Sequence, residues 1–141
     1  MALMIEAEEM AGYLDEVFPQ VRGMFEIDEL TEERLVMRLH VDEQHLRPGG
    51  TVSGPSMFGL ADVAAYVATM ARIGRQALAV TTHCSIDFMR KPAAGVDLLA
   101  EARVLKLGRT LSVTGVLLYS EGSGDPVAHA SLTYSIPPAR G

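Results

Sequence analysis

The chain has a single cysteine, Cys84, so no internal disulfide framework can form and no Cys-pair zinc site can be built. Its four histidines, His40, His45, His83 and His129, stand far apart, with no helical i, i+4 pair and no HExxH run, which argues against a metal centre. Lysines and arginines are scattered singly; without a basic stripe, nucleic acid is not an expected partner. No stretch of about 20 residues is free of charged and polar breakers, and the start MALMIEAEEM lacks a basic n-region and a long apolar h-region. A membrane partner is therefore not expected, and with a lone cysteine the expected location is the cytoplasm. Gly49, Gly50 and Gly54 do not spell GxGxxG and no GK[ST] follows, which disfavours Rossmann or P-loop nucleotide binding.

What remains is ordinary globular material: 141 residues, 48% hydrophobic, 21% charged and a net charge of −6, enough for one domain over residues 1–141. Within it, the run RPGGTVSGPSMFGLADVAAYVATMA, residues 47–71, stands out. A glycine-rich turn leads into a long apolar helix that carries one carboxylate, Asp62, beside Leu60, Val63, Ala64 and Val67. An ionised acid among apolar neighbours is costly unless something compensates it. Asp62 is thus either a group with a chemical role or a structural acid bonded to a backbone N–H or to Arg47.

The periodicities give the rest of the chain. Ile5–Phe18 places Ile5, Met10, Leu14, Val17 and Phe18 near one side of a helix that Pro19 closes. Met24–Leu30 and Glu33–Val41 read as strands, the second with Leu35, Met37, Leu39 and Val41 on one face. Ser53 caps the central helix, Pro55 sits in its first turn, and Gly74 stops it after Ile73. Four strands follow, Ala77–Met89, Val96–Leu107, Thr110–Glu121 and Pro126–Ile136, and their short connections predict antiparallel neighbours. So apolar a helix must be covered nearly all round, which a curved antiparallel sheet does: an α+β, hotdog arrangement with a short N-terminal helix. One small sheet leaves an edge exposed, so pairing into at least a homodimer is expected.

The run GGTVSGPSMFGLADVAAY resembles the signature of the PaaI-type acyl-coenzyme A thioesterases, in which a Gly-Thr-Val/Leu-His-Gly-Gly turn opens the central helix and Leu-Ala-Asp follows. The segments IDFMRKPAAG, LLAEARVLKLGRTL and AHASLTYSIPP also resemble strands of that family, so the likeness runs from about Phe18 to Pro138. It implies a hydrolase acting on an acyl-coenzyme A, with no cofactor beyond the coenzyme A of the substrate. Asp62 matches the family's catalytic carboxylate, a nucleophile or a general base. Gly54 matches the glycine whose N–H, at a positively polarised helix end, hydrogen-bonds the thioester oxygen. In such dimers, often dimers of dimers, the turn of one protomer faces the acid of the other.

Three positions depart from the pattern: Ser53 replaces the usual His, Pro55 the second glycine, and Arg47 an Asn or Gln. Ser53 can position a water or carbonyl through its hydroxyl but offers no imidazole, and Arg47 suits a carboxylate or phosphate. Thr81 matches a Ser/Thr near the reacting centre of relatives. Strand parity, however, groups it with His83, Ser85 and Asp87, opposite Val80, Cys84, Ile86 and Phe88, so a bulge or a rim position is required for it to contribute. Arg90, Lys91 and Arg109 fall at strand ends or turns, where relatives bring cations to coenzyme A phosphates. Met57 and Phe58 beside the turn are candidates for a pocket wall, and Cys84 reads as an inert thiol. The alternative from another class is a non-hydrolytic hotdog protein that binds an acyl ligand; a hydratase is weaker, because no His accompanies the acid in the helix.

Overall fold

The computed structural model describes residues 2–138. Its elements run α1 (Ala7–Val17), β1 (Phe25–Leu30), β2 (Leu35–Leu39), α2 (Gly54–Ile73), β3 (Val80–Phe88), β4 (Leu98–Leu107), β5 (Leu111–Ser120) and β6 (Pro126–Ser135), with short 3-10 turns at Pro19–Val21 and Glu43–His45. Each element falls where the hydrophobic period put it, trimmed by one to three residues at some ends. The six strands form one antiparallel sheet that wraps α2, the hotdog architecture.

The alternation that marks the strands also decides how close the helix lies. Inward positions of β4 and β6 are small, Ala100, Ala102, Ala128 and Ala130, and α2 meets the sheet with Ala61, Ala64, Ala65, Ala68 and Ala71, all buried. Small residues on both surfaces let backbone approach backbone, and Leu35, Met37, Leu39, Leu98, Leu118 and Leu132 fill the remaining volume. Curvature comes from four bulges, where Asp28, Thr82, Leu105 and Val127 are each an extra residue in the ladder. From α1, Met10, Tyr13 and Leu14 close the open side.

One expectation about connectivity is corrected. The strand order is β1-β2-β4-β5-β6-β3, so β3 pairs with β6 and not with β4, its successor in the chain. The segment between them, Met89–Asp97, resembles a hairpin turn in composition but is a crossover along the sheet's end. Met89 and Arg90 N–H groups bond to Val127 O, Ala93 N–H to Ser120 Oγ, and Asp97 O accepts from Glu121 N–H. Three strand spacings amount to roughly 14 Å, well within the reach of nine extended residues.

Gly74 ends α2 with φ 94° and ψ −168°, while its N–H still bonds to Met70 O at 2.8 Å. That region is essentially restricted to glycine. Gly74→Ala is expected to cost about 1–3 kcal/mol, measurable as a lower urea midpoint at unchanged slope.

Candidate functional site

Along α2 every residue from Leu60 to Arg72 is buried, with one exception: Asp62, which is half-buried. Its side chain reaches a cleft of about 310 Å³ lined by Phe18, Val63, Tyr66, Ala79, Thr81 and Tyr134, among others. Two hydroxyls converge on one carboxylate oxygen. Thr81 Oγ1 donates to Asp62 Oδ1 at 2.6 Å and Tyr134 OH donates to the same atom at 2.7 Å, lying also 3.0 Å from the Asp62 carbonyl oxygen. A carboxylate accepting two short hydrogen bonds is compensated without a cation partner.

Thr81 reaches this position through the bulge that its parity required. Thr81 pairs with Tyr134 and His83 with Thr133, so Thr82 is the extra residue and the alternation flips across it. Thr81 then shares the half-buried inward face with Cys84 and Ile86, while Thr82 and His83 are exposed. Tyr134 was not singled out from the sequence. The signal was there: on the inward face of β6, Ala128, Ala130 and Leu132 are followed by one residue bearing a hydroxyl.

The Tyr134 ring stacks on Tyr66 at 5.8 Å between centroids, Tyr66 meets Phe18 edge-on at 6.3 Å, and Tyr66 OH donates to Ala77 O at 2.7 Å. Burial, reinforced by the Asp62 charge, holds the Tyr134 phenol far above its ordinary pKa; it is a neutral donor. Burial, with a smaller contribution from Asp62, likewise raises the Cys84 thiol, the opposite of what an activated nucleophile needs.

The glycine-rich turn lies at the other end of the helix segment. Asp42 N–H bonds to Nδ1 of buried His45, and His45 O accepts the Ser53 N–H at 2.8 Å, which seats the turn against the helix start. Ser53 Oγ accepts from Ser56 N–H at 3.3 Å and donates to Ser56 Oγ at 3.0 Å, so its hydroxyl serves as the helix cap. Pro55 occupies the first turn, where its missing N–H has no intrahelical partner to lose, and the N–H of Gly54 makes no hydrogen bond among the described residues. A Cβ built at Gly54 would stand 3.5 Å from the Phe88 ring.

Around that N–H opens a second cleft of about 380 Å³, whose walls include Arg47, Thr51, Met57, Phe88, Arg90 and Lys91. Arg47, Arg90 and Lys91 are exposed and form no ion pair among the described residues. The structure therefore brings together Gly54, Met57, Arg47, Arg90 and Lys91, and separately Asp62 with Thr81. Phe58, just after the first turn of α2, is 37% exposed and does not line this cleft. Arg109 lies in the β4–β5 turn, at the end of β5 and β6 opposite to Arg90, whose N–H bonds to Val127 O. The span of β6 between them is roughly 30 Å. Gly54 and Asp62 are themselves eight residues apart on α2, about 12 Å at the helical rise.

A family model described as the Thioesterase superfamily matches residues 49–127. Human acyl-coenzyme A thioesterase 13 is 29% identical over 118 residues, covering 82% of each chain. A crystallised candidate thioesterase from Silicibacter sp. TM1040 is 59% identical with a TM-score of 0.92, covering 98% of this chain and 96% of that one. A point mutant of the phenylacetic acid degradation protein PaaI from Thermus thermophilus is 28% identical with a TM-score of 0.72, covering 84% of this chain and 99% of that one.

Proposed function

Because this chain belongs to the thioesterase superfamily, we propose that it hydrolyses the thioester of an acyl-coenzyme A, in a site that two protomers share. The observation that carries this reading is Asp62, the one break in the buried run Leu60–Arg72, compensated by hydroxyls and facing a cleft.

Gly54 N–H polarises the carbonyl, adding the field of the helix N-terminus where the oxyanion forms. Asp62 either draws a proton from water as that water attacks the carbonyl carbon, or attacks directly to give an acyl-carboxylate anhydride that water then cleaves. By both routes the C–S bond breaks, the sulfur leaves as the thiol of coenzyme A, and the acyl group leaves as a carboxylic acid. Arg47, Arg90 and Lys91 edge the Gly54 cleft and suit the phosphates of coenzyme A. Arg109 is too distant to join them in one protomer, and is a candidate only where a second copy contributes.

About 12 Å of helix is too long for one thioester to meet both Gly54 and Asp62 of the same chain. A second copy paired at the edge strand supports a way round this mismatch. Among the described residues β3 pairs on one side only, and Leu78, Val80, Phe88 and Met89 on or beside it are each more than half exposed. Asp62 stands at its Thr81 end and Gly54 at its Phe88 end. An antiparallel pairing of two β3 strands about a twofold axis sets the Phe88 end of one against the Thr81 end of the other, and so Gly54 of one protomer towards Asp62 of its partner.

The test is thiol release from a panel of short-chain, long-chain and aromatic acyl-coenzyme A substrates. Turnover of at least one class is expected. Thermal stabilisation by an acyl-coenzyme A without thiol release on the whole panel would instead support the non-hydrolytic binding protein, a reading favoured by one observation, the Ser53 hydroxyl engaged in capping.

A further inference from the structure

We propose that Tyr134 is a positioning residue for Asp62, fixing which carboxylate oxygen does the chemistry; the inference rests on the catalytic reading of Asp62 given above. Both hydroxyl donors, Thr81 and Tyr134, fall on Oδ1, and Oδ2 has no hydrogen-bond partner among the described residues. Two charge-assisted donors draw electron density onto one oxygen and lock the carboxylate torsion. Oδ2 is left as the oxygen presented to the cleft, for a water or a carbonyl carbon.

The support behind the hydroxyl is unusually complete. Tyr134 is 4% exposed, and it spans two contacts on the same residue, the Oδ1 at 2.7 Å and the main-chain oxygen at 3.0 Å, so it ties side chain and helix backbone together. Tyr66 stacks on its ring and is pinned in turn by its own bond to Ala77 O. The phenol stays protonated across the working pH range because burial and the neighbouring carboxylate both oppose its ionisation. A Thr side chain alone leaves the carboxylate free to rotate about a single bond; the second donor, arriving from another strand, removes that freedom.

Tyr134→Phe keeps the ring, its stack and its burial while deleting the donor. Loss of one hydrogen bond to a charged group is expected to lower kcat about tenfold with KM within about twofold of wild type. A merely structural role would lower the melting temperature or raise KM without that split. A second readout does not depend on turnover: the wild type minus Asp62→Asn infrared difference spectrum isolates the carboxylate stretch, and Tyr134→Phe should shift that band. An unshifted band, or wild-type kcat in Tyr134→Phe alongside an inactive Asp62→Asn, would overturn the assignment. If Asp62→Asn itself keeps the wild-type rate, the catalytic reading of Asp62 is what fails, and the infrared band alone then decides whether Tyr134 orients the carboxylate.

Discussion

Asp62→Asn is expected to lower the rate of thiol release from the preferred acyl-coenzyme A by about a thousandfold or more, the upper part of the range for removing a general base and less than the full loss of a nucleophile. The amide has nearly the size of the carboxylate, and its Oδ1 can still accept from Thr81 and Tyr134 at the places where Asp62 does. What is removed is the negative charge and the basicity of the second oxygen. KM should change little, because substrate binding is assigned to the Gly54 cleft and its cations, none of which the substitution touches. The melting temperature should hold or rise, since a neutral amide costs less to keep half-buried than a carboxylate. The measurement is initial-rate thiol release with a parallel thermal melt. An unchanged rate in a folded variant would remove Asp62 from the mechanism and leave the family's chemistry without its acid in this chain.

Residue patterns are informative where one face of an element is packed, and fall silent at a sheet edge. Strands β2, β4, β5 and β6 were legible because one face is packed on α2, so alternation survives along most of their length, interrupted at the Leu105 and Val127 bulges. The central helix was legible from its cap and stop, Ser53, Pro55 and Gly74, which the structure uses in those roles. β3 resisted on both counts. It is an edge strand exposed on much of both faces, so its pattern carries little register information, and the single inserted Thr82 inverts the parity that assigned Thr81 to the wrong face. Its partner was illegible for another reason: Met89–Asp97 is short and contains Pro92 and Gly95, like a turn, and only the hydrogen bonds to Val127 and Ser120 reveal a crossover.

The candidate site divides the same way. Asp62 stood out because it breaks a local rule, a charge in an apolar helix, whereas Gly54 was reached only through the resemblance of its turn to the thioesterase signature. Tyr134 breaks none. A tyrosine on a strand facing a helix is ordinary core material, and its role depends on a residue 72 positions away in the chain. Arg47, Arg90 and Lys91 meet only in the folded chain, since the cleft is formed where the crossover passes the helix start, whereas Arg109 shows that a cation in a turn carries no address.

Mixing two inactive variants is expected to restore activity. Gly54→Pro deletes the N–H proposed to bind the thioester oxygen, at a first-turn position where proline is tolerated by a helix. Removal of one such donor costs about 100- to 1000-fold in kcat. In a twofold dimer each site takes Gly54 from one protomer and Asp62 from the other. A heterodimer of Gly54→Pro with Asp62→Asn therefore has one site with both lesions and one with neither. If the two chains are unfolded together and refolded in equal amounts, half of the dimers are heterodimers, and thiol release should recover to about a quarter of wild type. Sites confined to a single chain would give no recovery, because every chain carries a lesion. Light scattering on the refolded sample fixes the mass to which the rate is referred, and a monomer at assay concentration would sink the shared site together with the β3 pairing that produces it. The two outcomes differ by about fiftyfold or more, so the experiment decides the architecture of the site even if the absolute rate of the enzyme is low.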